Sequence, residues 1–545
     1  MRQHKAGAAL AVAAALAGPA TAEAGRFAVG VKPGADSAAV RAVLERSGAR
    51  VESLAPLPAF VVETAGPRRL SRLPGVRYVE LLRRRAPAFM PGDPLVARQW
   101  YLSHVRAFAA WEILPPLARV RVAVIDSGLD LGHPDLAGRV AAARSFVGGT
   151  PRDTRGHGTL VAGVVAAASD NGIGVAGMAP SAELLVAKVV DREGTIPVEA
   201  EARAIRWAVA QGARVVNMSL GGLRDPTSPL RDTYSHLEAD AVAYAVSRGV
   251  VVVAAVGNGD QAPAEPWRFA FYPAALPHVL GVSAVARSGA SPGYSNRDAV
   301  FNDLAAPGGD IVSTFPRALT KLRPRCPEQG YTPCATPDYR PAEGTSFAAP
   351  QVSAAAAMLL ALQPSLRPEQ VTALLQRTAV DSTRATGCRL CPEGRDPFTG
   401  WGTLDVAAAV TALDAPLPAV DALEANDDAG GRAHQLSGPW RHRVVDAAVD
   451  FWDDQDDVYR VYLSSGERVD AALSGDVGEL TLAIWRPGTE SVSDLAQQGL
   501  RVRLSARPGS RQYAGYVAEQ TGWHYVHVRL VAAGDTAYQL ALARS

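Results

Sequence analysis

The sequence predicts an α/β protein: a doubly wound, mostly parallel sheet, preceded by a small α+β unit and followed by a β-sandwich. Three observations carry this. Between Arg121 and Leu413, continuous valine-rich apolar runs alternate with helical segments, as strands buried on both faces require. Residues 25–88 alternate short strand and helix patterns over a stretch near the lower size limit for independent folding. Beyond residue 428, apolar and polar residues alternate with period two between turn residues.

In chain order, "MRQHKAGAALAVAAALAGPATAEAG" comes first. Arg2 and Lys5 form a basic start, Ala6 to Ala17 an apolar run, and Ala20-Thr21-Ala22 a small-residue cleavage site. This predicts a signal peptide over residues 1–22 and a secreted protein. The run is shorter than the roughly 20 residues of a membrane-spanning helix, so no membrane anchor is expected. A length of 545 residues implies two to four domains, and 48% apolar with 20% charged residues describes a globular chain. A net charge of +1, with lysine only at Lys5, Lys32, Lys188 and Lys321, offers no surface for nucleic acid. A monomer is expected.

The unit at 25–88 reads strand, helix, strand, strand, short helix, strand. From 89 to 413, "VRVAVID", "AELLVAKVV", "ARVVNMSL", "GVVVVAAVGN" and "HVLGVSAV" read as buried parallel strands. In "VEAEARAIRWAVAQG", Ala204, Ile205, Ala208 and Val209 share one helical face, with charges opposite. Cys326 and Cys334 bracket "PEQGYTP", and Cys388 and Cys391 form "CRLC". In an oxidising compartment two local disulfides are expected, although four cysteines allow three connectivities and a four-thiolate zinc site is the alternative. Residues 414–427 form an acidic, proline-containing linker, and 428–545 the sandwich.

Open α/β sheets place their sites beyond the carboxyl ends of their strands. Asp126 ends the first buried run in "VAVIDSGLD", as a functional carboxylate or as a turn cap. His157 stands between two glycines in "RGHGTLVAGVVAAAS", where a histidine serves structure as readily as chemistry. Asn258 follows another buried run in "VVVVAAVGNGD", as an oxyanion donor or a turn asparagine. Ser346 opens "GTSFAAPQVSAAAAMLLAL", where it is either the cap of a helix or a nucleophile at its N-terminus.

Taken together, "VIDSGLD", "GHGTLVAG", "SLGG", "AVGN" and "GTSFAAP" resemble the signature segments of subtilisin-family serine peptidases, in their order and approximate spacing. With "GWGTLDVAAAV" the resemblance extends from about Asp93 to Leu413. It implies a serine endopeptidase acting on protein or peptide substrates. Ser346 would be the nucleophile, His157 the base, Asp126 its orienting partner and Asn258 an oxyanion donor. Ser219, Leu220, Gly221 and Gly222 would line the substrate strand, and Phe271 would narrow the pocket for the residue preceding the scissile bond. The unit at 25–88 resembles the family's propeptide, an intramolecular inhibitor removed by cleavage between Glu80 and Asp93. Arg83 to Arg85 are a processing signal or an exposed charge run.

The resemblance also implies a structural Ca²⁺ held by Asp93, Asp135 and Asn171 with the carbonyls of Ala168, Ile173 and Val175; loop capping without metal is the alternative. The last domain resembles pre-peptidase C-terminal domains through "ALEANDDAG" and "DQDDVYRVYL". Its Asp453, Asp454, Asp456 and Asp457 read as a calcium site or a solvated acidic loop. Leu160 and Phe347 stand where the family usually has histidine and methionine.

Overall fold

The computed structural model describes residues 25–64, 70–82, 90–113, 118–319, 338–415, 423, 426–451, 454–532 and 534–545. The signal-peptide stretch, Arg83 to Arg85, Cys326, Cys334, Asp453 and most of the linker lie outside the described residues. The chain divides into two compact units, Met1–Pro87 and Ala88–Ser545.

In the first unit, β1 (Gly25–Val31), β2 (Arg50–Ser53), β3 (Ala59–Thr64) and β4 (Val76–Leu81) form an antiparallel sheet in the order β2-β3-β1-β4. The helix Ser37–Arg46 starts on Asp36, whose carboxylate accepts the Ala38 N–H. Its Val40 and Leu44 pack with Val29, Val31, Phe60, Val62 and Val76 in a small core. The short helix expected before β4 falls largely outside the described residues.

The second unit is built on β5 (Val120–Asp126), β6 (Val140–Ser145), β7 (Ala182–Lys188), β8 (Val215–Met218), β9 (Val251–Ala255), β10 (Val279–Val285) and β11 (Leu304–Pro307). Their order is β11-β10-β9-β8-β5-β7-β6, and every pairing is parallel. The five expected strands are the interior of this sheet. Both edges, β6 and β11, were not legible, because "VAAARS" and "LAAP" lack the β-branched runs that a doubly covered strand needs. The valines of β5, β8 and β9 are almost wholly buried, each worth about 1.5–3 kcal/mol relative to exposure.

Helices cover both faces. Thr345–Leu362 runs under the sheet with 89% of its length buried; among the described residues it alone is long and apolar enough to cross a membrane, yet here it is a core helix. On the other face Val198–Ala210 buries Ala204, Ile205 and Ala208 as expected and packs with His236–Ser247, but Val209 is only partly buried, and Glu201 is buried where the pattern placed charges outside. Cys388 and Cys391 are disulfide-bonded, as expected of a local pair.

After the parallel sheet, β12 (Ile311–Thr314) and β13 (Tyr339–Ala342) pair antiparallel, and beyond residue 426 two sheets stack around one core. One has the order β14-β16-β21-β18-β19, from β14 (His434–Gln435), β16 (Asp456–Leu463), β18 (Leu480–Trp485), β19 (Arg501–Ser505) and β21 (Gly522–Leu530). The other is β15-β22-β17-β20, from β15 (His442–Asp450), β17 (Arg468–Gly475), β20 (Arg511–Val517) and β22 (Asp535–Arg544). This sandwich sits on the α/β part. His278 meets Asp427 at 2.8 Å, Tyr234 donates to Ser491 at 2.9 Å, and the buried Arg395 stacks on Phe451 with 4.4 Å to the ring centre.

The acidic cluster is corrected here. Asp454, Asp456 and Asp457 are buried, not a solvated loop. Asp456 pairs with His527 at 2.6 Å and Arg529 at 2.7 Å, and Asp457 accepts from Tyr538 and Asn426. Burial raises the Asp456 pKa, but the Arg529 and His527 charges outweigh it and hold the carboxyl below its ordinary value. Its charge is balanced by protein groups.

Candidate active site

Asp126 is the last residue of β5, near the middle of the sheet, and only 2% exposed. Its Oδ1 accepts the Ser127 N–H at 2.7 Å, and its two oxygens lie 2.8 and 3.0 Å from His157 Nδ1. A carboxylate only accepts, so Nδ1 carries the proton and Nε2 is left as the basic nitrogen. His157 begins the helix His157–Ala166. Gly158 lets that helix approach β5, since a Cβ there would collide with the Gly128 carbonyl.

The turn before His157 hangs on Asp153, which sequence reasoning missed. Its carboxylate accepts from Ser127 Oγ, the N–H groups of Arg155, Gly156 and Thr159, and Thr159 Oγ1. Lys188, at the end of β7, donates to the carbonyls of Ser127 and Arg152 at 3.1 and 2.9 Å and so ties both loops to the sheet. Burial lowers the His157 pKa, but the Asp126 charge and hydrogen bond outweigh it, leaving the imidazole above its ordinary 6.5. The Phe347 ring lies 5.3 Å from the imidazole, which accounts for an aromatic at that position.

Ser346 is not a helix cap. Gly344 occupies the N-cap of Thr345–Leu362, and Ser346 is the second helical residue, half-exposed in the cleft. Its Oγ donates to the Ser219 carbonyl at 3.2 Å, not to the imidazole, and Ser219 Oγ donates back to the Ser346 carbonyl at 2.7 Å. Behind this pair Asn217 Nδ2 donates to Ser219 Oγ and Ser353 Oγ to Asn217 Oδ1, joining β8 to the helix. Asn258 Oδ1 accepts the Thr345 N–H and hydroxyl, both at 3.1 Å. Those donors fix the amide orientation and leave Nδ2 to donate, beside Gly344.

Ser219, Leu220, Gly221 and Phe271 line the same cleft as Asp126, His157, Asn258 and Ser346. Gly222 turns away and pairs with Tyr272 through bonds of 2.8 and 2.9 Å. Among the described residues, the backbone groups of Leu220 and Gly221 make no hydrogen bond, which leaves an edge for an extended peptide. The Phe271 ring packs over Gly257, where a Cβ would come within 2.6 Å of it.

Three of the expected metal ligands, Asp93, Asp135 and Asn171, are joined by hydrogen bonds. Asp135 is fully buried, its oxygens accepting Asn171 Nδ2 at 2.8 Å and the Val175 N–H at 2.9 Å, and no Lys or Arg pairs with it among the described residues. Burial, with a smaller contribution from the Asp93 charge, pushes its pKa up to about 7 against the hydrogen bonds from Val175, Asn171 and Tyr339. Asp93 caps the loop, accepting the N–H groups of Asp170, Asn171 and Gly172. Two buried carboxylates without a basic partner among the described residues fit a hard cation such as Ca²⁺.

A parallel sheet with an aspartate-paired histidine and a cleft-facing serine beyond its strand ends is the framework of a serine hydrolase. The sequence profile described as the subtilase family matches residues 118–402. The chain belongs to the subtilase family, whose members are serine endopeptidases. It is 34% identical over 303 residues to thermitase of Thermoactinomyces vulgaris, covering 55% of this chain and 94% of that protein. It is 36% identical over 282 residues to subtilisin BL of Lederbergia lenta, covering 51% and 90%. A solved structure of a protease from Pseudoalteromonas arctica aligns with a TM-score of 0.48 at 28% identity, covering 59% of this chain and 99% of that one.

Proposed function

We propose that this chain is a secreted endopeptidase, made as a self-processed precursor, in which Ser346 attacks the scissile carbonyl. The observation that carries this is the Asp126–His157 pair sharing one cleft with Ser346. For attack, Ser346 Oγ would leave the Ser219 carbonyl for His157 Nε2. The imidazole takes the hydroxyl proton and later gives it to the leaving amine, while Asp126 holds the tautomer and stabilises the imidazolium. Asn258 Nδ2 and the Ser346 N–H donate to the oxyanion. Substrate lies along Ser219 to Gly221, with Phe271 shortening the pocket for its side chain.

Residues 1–22 direct export, and the unit at 25–88 inhibits the cleft until it is cut away. Ca²⁺ would be held by Asp93, Asp135 and Asn171 with the carbonyls of Ala168, Ile173 and Val175. When bound it would neutralise the charge of these buried carboxylates, and no step of the hydrolysis passes through it.

Ser346→Ala tests the reading. Peptide hydrolysis should fall by about 10⁶ in kcat, the loss known for this substitution in subtilisin. The purified variant should also keep its unprocessed mass. A variant that hydrolyses peptides at the wild-type rate would refute the assignment, and one that processes itself normally would refute the intramolecular route.

A further inference from the structure

Besides Asp126 and His157, the only ionisable side chain lining the cleft among the described residues is Arg155. It lies two residues before the imidazole, on the turn that Asp153 fixes through the Arg155 N–H at 2.9 Å. Its side chain crosses to the opposite loop, where Nη2 donates to the Arg192 carbonyl at 3.0 Å. The guanidinium lies flat on Gly194: a Cβ there would come 2.5 Å from Nη2, 2.7 Å from Cζ and 2.8 Å from Nη1. Any other residue at 194 would displace it. The group is exposed, and only one of its five donors has a protein acceptor among the described residues.

Of the carboxylates on these two loops, Asp153 and Asp191 are committed to their own turns, while the exposed Glu193 makes no ion pair with a described residue. Asp153 accepts five donors of its own turn, and Asp191 accepts from the Gly194 and Thr195 N–H groups and the Thr195 hydroxyl. Arg155 makes no ion pair with a described residue, although arginine is the side chain best shaped to hold a carboxylate by two parallel bonds. In an extended peptide whose scissile carbonyl meets Ser346 and whose side chain before the bond enters the pocket beside Phe271, the next side chain back would project to the opposite side, in the cleft that His157 and Arg155 also line.

We propose that Arg155 makes the enzyme prefer an acidic side chain at the second position before the scissile bond (P2). This rests on the endopeptidase reading above. The test uses three peptides identical except for Glu, Gln or Lys at that position, and reads kcat/KM. Wild type should favour Glu over Gln by about fivefold, the range of a partly exposed ion pair. That ratio should shrink as salt rises from about 0.05 M to about 1 M. Arg155→Gln should bring it to about one, and Arg155→Glu should reverse it in favour of Lys. A wild-type ratio of one or below, or a ratio equal in wild type and Arg155→Gln, overturns the proposal while leaving the endopeptidase reading intact. A wild type that cleaves none of the three overturns that reading and this proposal with it. Should Arg155→Glu fail to fold, the Arg155→Gln ratio and the salt series still decide.

Discussion

At the residue scale, His157 is governed by opposing effects. Its burial favours the neutral ring, while Asp126 favours the charged one and prevails. A base works only when neutral, so activity should rise with pH through a midpoint above 6.5. The stability that Asp126 gives the charged ring runs the other way. It is present below 6.5 and lost as pH climbs through the raised value. Asp126→Asn removes the charge and leaves burial, so the His157 titration, followed by NMR of the ring protons, should move below its wild-type midpoint. An unmoved midpoint would mean that Asp126 does not set the basicity of the ring. The same scale decided Ser346. Its local sequence also suits a cap, and Gly344 taking the N-cap removes that role.

At the scale of elements, the helices Val198–Ala210 and His236–Ser247 bring together two glutamates, Glu201 and Glu238, both about 5% exposed or less. Burial raises both carboxyls above their ordinary value, and the neighbouring Glu238 charge raises Glu201 further. Glu238 lies in the first turn of its helix, where negative charge is favoured. Groups with raised folded-state pKa values stabilise at low pH, and that stability drains away as pH rises from about 4.5 through the folded values. Glu201→Gln cannot ionise. Its Tm should match wild type near pH 5 and exceed it by a few degrees near pH 9, about 1 kcal/mol. Equal Tm values at both pH would show that the Glu201 pKa is not raised. Neither glutamate was legible, because each sits in an ordinary charged helix and only packing brings them together.

At the scale of the whole molecule, a cation bound only by the folded state should raise Tm with its free concentration, by about 2.7 kcal/mol at 100 times Kd. Asp135→Asn should abolish most of that rise, while chelation should lower wild-type Tm towards the variant's. A calcium response equal in both proteins would refute the ligand set, leaving Asp93 and Asp135 as caps of the 168–175 loop.

The sequence by itself determined the alternation of strands and helices, the interior strands of the sheet, and the order Asp126, His157, Asn258, Ser346. These are properties of short segments: a buried strand needs β-branched residues, and a residue at its carboxyl end is read from the run before it. Tertiary structure alone decided the alanine-rich edges β6 and β11, whose partners lie on one side and whose local propensity is weak. It also decided the supports of the site. Ser353 reaches Asn217 across 136 positions, and Lys188 reaches Arg152 across 36. It buried Asp456 and Asp457, which composition read as solvated or metal-bound, by supplying His527, Arg529 and Tyr538 from strands far along the chain. A buried polar group is stable only with its partners in place, and those partners are chosen by the fold, not by the neighbouring sequence.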